Sequence, residues 1–334
     1  MPIFNATVTS KEVVAAFAPQ VKGRVFVITG AGQPSIGSSI ATELAKASPA
    51  HIVIASRTAA NVDPVLSAIC RIDPSIKATF VQVDLSDHDS VRRAAPAILA
   101  ATGSRINVVI NSAGNMALKD YTVDRQGIEM QFSANHVGHF LLTNLLVPGL
   151  LAGANDAYGA RVVNITSAGY QISPVRFDDS AFSGGKAYDR WTGYGQAKTA
   201  QILFAHGLTD RLKERGIVAF ACHPGSNLDT KLGAHLVIDD YSDILPVAKR
   251  NTGKDFIFTV GDEPRFKTFE QIASTPLIAA LDPELAAQAP AYLQNSGIVQ
   301  PAAEHAYDPV HVEKCWKLSE KLVGQDFQYI EPAQ

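Results

Sequence analysis

Tyr194 and Lys198 stand four residues apart in the stretch Trp191-Thr192-Gly193-Tyr194-Gly195-Gln196-Ala197-Lys198. On a helix that spacing puts both side chains on one face, about 6 Å apart along the axis. A tyrosine hydroxyl is a weak acid, with a pKa near ~10, and an ammonium beside it favours the phenolate. The pair is therefore a candidate proton donor or acceptor. A lone tyrosine and lysine at this spacing more often mark a solvated helix face, so the pair needs partners elsewhere in the chain.

The elements that could supply them alternate strand and helix. Thr9 to Pro19 carries a capping-box pattern, Thr9 with Glu12, ahead of Val13, Val14 and Phe17, which predicts a short helix. Arg24 to Ile28 holds four consecutive apolar residues, the pattern of a strand buried on both faces of a parallel sheet. It runs directly into Thr29 to Gly37, TGAGQPSIG, and then a helical pattern from Ser38 to Lys46. A strand, a glycine-rich turn and a helix present backbone N–H groups and a positive dipole end to a pyrophosphate. Gly30 and Gly37 are the candidates for close backbone approach.

A second strand, His51 to Ala55, ends in Ser56-Arg57-Thr58, about 20 residues after the turn, where a dinucleotide-binding fold reads the adenosine ribose. An acid there would select NAD, whereas the Arg57 guanidinium suits a 2′-phosphate and so points to NADP. Further strands run from Ala78 to Val83, ending in Asp84-Leu85-Ser86, and from Ile106 to Ile110, ending in Asn111-Ser112-Ala113-Gly114. Val123 to Leu151 carries a long helical pattern in which Asn135 is either a satisfied core amide or part of a site. Arg161 to Ile165 is a strand ending in Thr166-Ser167, Tyr194 to Arg215 a helix, and Val218 to Cys222 a strand ending in His223-Pro224-Gly225. His136, His139 and His223 lack metal-ligand spacing, which favours core or cap roles and predicts no metal.

Composition narrows the class. The chain has 334 residues, 46% apolar and 18% charged, with a formal charge of −3, enough apolar content for one large α/β domain and no basic footprint for nucleic acid. Cys70, Cys222 and Cys315 lack redox or metal spacing and fit a reducing compartment. With no ~20-residue apolar run and no secretion-signal pattern at the N-terminus, we expect a cytoplasmic protein without a membrane span.

The ordered set TGAGQPSIG, DLS, NSAG, NHVGHF, a strand ending ITS, YGQAK and HPG resembles the short-chain dehydrogenase/reductase superfamily. NHVGHFLLTNLL, ALDPEL and WKLSEKLVG resemble its retinol-dehydrogenase-like and WW-domain-oxidoreductase-like branch, and the likeness spans roughly residues 22 to 325. The resemblance implies that Tyr194 is the acid/base, that Ser167 polarises the substrate carbonyl, that Lys198 binds the nicotinamide ribose and lowers the Tyr194 pKa, and that Asn135 holds a water relaying protons to Lys198. It implies cofactor contacts from Gly30, Gly32, Ser35, Ile36 and Gly37 in the turn, and from Arg57, Asp84 and Leu85 at the next strand ends. Asn111, Ala113, Gly114, Lys198, Pro224, Gly225 and Thr230 complete the cofactor set, while Tyr170, Trp191 and Asn227 border the substrate.

Three departures from the family pattern stand out. The glycine turn is a residue longer than usual and places Pro34 or Ser35 where a middle glycine is expected. Ser167 and Tyr194 are 27 residues apart, which adds a loop from Ala168 to Arg190. The threonine after HPG comes one place late, at Thr230.

Lys231 to Gln271 shows no clear period and carries Tyr241, Phe256, Phe258, Phe266 and Phe269, either a lid over a bulky apolar ligand or a loop packing its aromatics on the core. Helical patterns at 270–282 and 308–324 and a strand at Ala291 to Gln294 complete one doubly wound α/β domain of about seven parallel strands, a Rossmann fold. Within it we divide the chain into an N-terminal extension (1–21), a cofactor-binding and catalytic core (22–225), a lid segment (226–275) and a C-terminal completion (276–325). The expected activity is NADP(H)-dependent interconversion of a bulky, apolar, cyclic ketone or aldehyde with its alcohol, with a small molecule as partner and a homodimer as a possible assembly. Reduction of an activated carbon–carbon double bond and a non-catalytic NADP(H) sensor are the alternatives.

Overall fold

A computed structural model describes residues 4–258 and 266–329. Along the chain run α1 (Ser10–Ala16), β1 (Val25–Thr29), α2 (Ile36–Ala45), β2 (His51–Ser56), α3 (Ala59–Ile72), β3 (Lys77–Gln82), α4 (His88–Ala101) and β4 (Val108–Asn111). There follow α5 (Met130–Phe132), a π-helical turn (Ser133–Val137), α6 (Gly138–Gly153), β5 (Ala160–Ile165), α7 (Arg190–Leu212) and β6 (Ile217–His223). The chain ends with α8 (Ile244–Thr252), α9 (Phe269–Leu281), β7 (Ala291–Gln294), β8 (Gly297–Ile298) and α10 (Pro309–Val323).

The strands form one sheet in the order β3-β2-β1-β4-β5-β6-β7-β8. All neighbours are parallel except the last pair. The order reverses between β1 and β4, the doubly wound Rossmann arrangement, and a ligand crevice forms where the loops diverge at that point. Apolar runs predict these strands because both faces are covered. From β1, Val27 enters one core with Leu146 of α6 and Leu208 of α7, while Phe26 and Ile28 enter the other with Leu44 of α2 and Leu277 of α9. Each such fully buried aliphatic side chain stabilises the fold by roughly 1.5–3 kcal/mol.

Several elements differ from expectation. The described residues hold eight strands rather than seven, because β8 is a two-residue antiparallel return from β7 through Asn295 and Ser296, both at positive φ. Two residues are too few to show a period. The predicted helix from Val123 starts instead at Met130, where the Glu129 carboxylate accepts from the Gln131 and Phe132 N–H groups. Its continuation to Gly153 is apolar and long enough to cross a membrane by composition, yet 78% of its most apolar window is buried within the protein. The α1 capping box forms as predicted, with Thr9 and Glu12 exchanging bonds, and α1 packs against α9 and α2.

The segment after β6 is not featureless. Ile244, Val247 and Ala248 are buried at helical spacing and build α8. Of its aromatics, Tyr241 and Phe256 pack inward beside Trp191, Tyr194 and Ile172, whereas Phe258 and Phe266 are about half exposed. Part of the expected lid, residues 259–265, lies outside the described residues.

Candidate active site

α7 is the centre of the site, and its sequence explains its position. Gly195 lets it nest against the turn at Ala168–Ile172; a Cβ there would come within 2.8 Å of the Ser173 nitrogen. Asp189 caps the helix, accepting from Thr192 N–H at 2.8 Å. As a result Tyr194 and Lys198 are 4% and 5% exposed, which removes the reading of a solvated helix face.

Ser167, which follows β5, lies beside the Tyr194 phenol, and Lys198 Nζ stands 5.6 Å from the centre of the tyrosine ring. Burial pushes the phenol up to about 12, and the neighbouring Ser167 hydroxyl pulls the other way. Burial also pulls the Lys198 ammonium down to about 7. Loss of solvent therefore dominates the Tyr194 pKa in this geometry. Lys198 Nζ donates to Ile165 O at 3.2 Å and to Gln201 Oε1 at 2.9 Å.

Asn135, in the π-helical turn, clamps the residue after NSAG: its Oδ1 accepts from Asn115 N–H at 2.8 Å and its Nδ2 donates to Asn115 O at 3.0 Å. Gly114 fits between the clamp and the lysine, since a Cβ on it would meet Asn135 Oδ1 at 2.9 Å and Lys198 Nζ at 3.9 Å. At the end of β1, Thr29 Oγ1 accepts from the N–H groups of Ser112 and Ala113 at 2.9 and 3.1 Å and so fixes the NSAG turn.

Beside this group, at the β1/β4 reversal, lies a cleft of about 460 Å³. It is lined by Gly30, Gly32, Ser35 and Ile36 of the turn, by Arg57, Asp84 and Leu85 at the next strand ends, and by Ala113, Gly114 and Thr230. The lengthened turn is built around Ser35, whose hydroxyl donates to Gly30 O at 3.0 Å and accepts from Ser38 N–H at 3.0 Å. That capping uses the third N–H of α2 and leaves those of Ile36 and Gly37 at the helix start, where an anion is stabilised. A nicotinamide dinucleotide fits this donor set: helix N–H groups for the pyrophosphate and a lysine ammonium for a ribose.

Arg57 is exposed, pairs with no carboxylate among the described residues, and lines both this cleft and an adjoining one of about 520 Å³ bordered by Ser90 and Arg93. No group of three or more His, Cys, Asp or Glu among the described residues is arranged to hold a metal.

Other expected contacts lie elsewhere. Gly37 does not line the cleft with its α-carbon, since a Cβ would stand 3.0 Å from both Ala31 Cα and Gly30 O; only its N–H, at the start of α2, is available to an anion. Gly30 does line the cleft, but its missing Cβ is required by the Ala113 backbone, 2.5 Å away. Asn111 is buried in the sheet and donates to Thr143 Oγ1 and Asn164 Oδ1. Pro224 is buried, and Gly225, at φ +100°, lies against the Lys267 side chain; neither lines the cleft.

Tyr170, expected at the substrate, is core: it stacks edge-on with Tyr292, and its hydroxyl accepts from Ala302 N–H at 2.7 Å. Asn227 donates to Lys267 O at 2.7 Å and closes the base of the segment that follows β6. Trp191 does border Tyr194, with ring centres 6.3 Å apart. Gln201, not singled out from the sequence, and His139, expected only in a core or cap role, adjoin this group: both bond the Asn135 carbonyl oxygen. Gln201 lies one turn after Lys198, so helical spacing was the available signal.

A sequence profile described as short chain dehydrogenase matches residues 24–239. Oxidoreductase fscI of Fusarium equiseti is 32% identical over 245 residues, 67% of this chain and 95% of that one. Retinol dehydrogenase 12 of Mus musculus is 32% identical over 305 residues, covering 91% of this chain and 88% of its own. Among solved structures, an uncharacterized protein from Mycobacterium paratuberculosis superposes with a TM-score of 0.66 at 26% identity, covering 96% of this chain and 99% of that one.

Proposed function

This chain belongs to the short-chain dehydrogenase/reductase family of oxidoreductases, in its retinol-dehydrogenase-like branch, and from that premise we propose an NADP(H)-dependent interconversion of a ketone or aldehyde with its alcohol. The observation that carries the reading is the convergence of the Ser167 hydroxyl, the Tyr194 phenol and the Lys198 ammonium beside a cleft with the donor set of a dinucleotide site. Bound there, the nicotinamide supplies or takes up the hydride.

Ser167 and Tyr194 direct two O–H donors at the substrate oxygen, where negative charge develops as hydride arrives. Tyr194, fully protonated at neutral pH, gives its proton to that oxygen, and Ser167 holds the oxygen in place. Lys198 holds a ribose hydroxyl and places positive charge near the tyrosinate left behind.

Arg57 supports NADP(H) over NAD(H): a guanidinium without a carboxylate partner, at the end of β2, forms a charge-assisted pair with a 2′-phosphate. Tyr194 is surrounded by a buried apolar cluster of Ala117, Ile172, Trp191, Ile244 and Val247, an environment in keeping with a bulky apolar substrate. The test is to mix the protein and NADPH with a panel of ring ketones, aldehydes and enones and to follow nicotinamide absorbance. Alcohol products support the reading; saturated ketones from the enones, or no turnover across the panel, contradict it.

A further inference from the structure

A continuous set of buried hydrogen bonds runs from the end of β1 to the ammonium of Lys198. Because Thr29 Oγ1 already accepts from two backbone N–H groups, its own O–H is left for His139 Nε2, 2.8 Å away. His139 Nδ1 must then carry the ring proton, since its partner at 2.9 Å, the Asn135 carbonyl oxygen, can only accept. The same oxygen takes a second N–H, from Gln201 Nε2 at 3.0 Å, while Gln201 Oε1 accepts from Lys198 Nζ at 2.9 Å. A carbonyl oxygen has two lone pairs, and here both are engaged by side chains.

We propose that Gln201 is a positioning residue for the reaction: its side-chain amide bridges the Asn135 carbonyl to Lys198 and aims the ammonium. The inference rests on the roles proposed above for Tyr194 and Lys198. Two of the three N–H donors of Lys198 are spent on Ile165 O and Gln201 Oε1, which leaves one for the cleft side.

The titratable groups around Lys198 are Tyr194 on its own helix, His139 on α6 and Cys222 on β6. All three are neutral at pH 7: burial pushes the Tyr194 and Cys222 groups up and pulls the His139 imidazole down to about 4. The ammonium therefore depends on neutral acceptors, and Gln201 Oε1 is the nearer of its two. Removing that acceptor favours neutral lysine, so activity that needs the ammonium should fail at lower pH.

The experiment measures kcat/KM for carbonyl reduction against pH, together with NADPH binding, for the parent and Gln201→Leu. The expected result is an alkaline limb about one pH unit lower and kcat reduced at least ~10-fold at pH 8. An unmoved limb with unchanged kcat overturns the proposal, including when only thermal stability falls. Should Gln201→Leu fail to fold, a crystal structure of the parent protein with NADP+ decides: the amide between Nζ and Asn135 O supports the bridge, and a water on Asn135 O with Gln201 turned away overturns it. Full activity of Tyr194→Phe would instead sink the proposed reaction, leaving the bridge to be judged from that crystal structure alone.

Discussion

The indole Nε1 of Trp191 donates to the Asp240 carbonyl at 2.9 Å, and the neighbouring Arg190 guanidinium reaches the Asp240 and Asp243 carboxylates at 2.7 and 3.1 Å. The first turn of α7 thereby holds the segment that carries α8. These pairs are partly exposed, so Arg190→Ala should cost no more than about 1 kcal/mol of stability. Its effect should appear in substrate choice: KM for a multi-ring ketone rising at least ~5-fold while kcat/KM for a small aldehyde stays within ~2-fold. Equal losses for both substrates in steady-state assays would show that the segment does not select for size.

Arg57→Ala tests cofactor choice. Loss of a charge-assisted bond to a 2′-phosphate is worth ~1.5–3 kcal/mol, so NADPH affinity should fall by about 10- to 150-fold while NADH affinity barely changes. Fluorescence titration of both cofactors measures this. Equal affinities in the parent protein would remove Arg57 as the discriminator.

Lys198 should leave a signature in stability against pH. Its folded pKa, about 7, lies below its ordinary value of 10.5, so between those values the unfolded chain binds more protons. The lysine's contribution to stability therefore rises with pH across this window and is least favourable below about pH 7. Compared with the parent, Lys198→Met should be relatively most stable near pH 7 and lose that advantage steadily towards pH 10. Denaturant unfolding at several pH values reads the difference; a constant offset would mean that the ammonium is not desolvated.

Gly114 separates the Asn135 clamp from Lys198, and an added Cβ would come within 2.9 Å of Asn135 Oδ1. Gly114→Ala should cost ~1–3 kcal/mol, the usual range for overpacking, and weaken NADPH binding because the cleft lining shifts. Thermal unfolding and cofactor titration together check it, and an unchanged dissociation constant would show that the turn absorbs the methyl group elsewhere.

The sequence made the parallel strands legible because a sheet covered on both faces demands uninterrupted apolar runs, as in Val25 to Ile28 and His51 to Ala55. It also placed Ser167, Tyr194 and Lys198 on adjoining elements, since strand ends and helical spacing are local patterns. What it did not show depends on packing between distant segments. Tyr170 sits in a loop that could border a pocket, yet the turn at Ala168–Ile172 points it at Tyr292. Gly37 matches a phosphate motif, yet its space is needed by Ala31. In α8 the spacing of Ile244, Val247 and Ala248 was present but short, and the surrounding Asp and Lys residues masked it. Gln201 reads as an ordinary helix residue until the π-helical turn brings the Asn135 carbonyl opposite it.

The central claim is that Tyr194 is the proton donor, and Tyr194→Phe tests it most directly, since the change removes one oxygen from a ring already packed against Trp191. NADPH titration and single-turnover reduction of a ring ketone should be measured on the same preparation. We predict an NADPH dissociation constant within about 2-fold of the parent and a hydride-transfer rate at least ~100-fold lower, the scale of a lost general acid. A variant that binds NADPH and reduces the ketone at the parent rate would contradict the account.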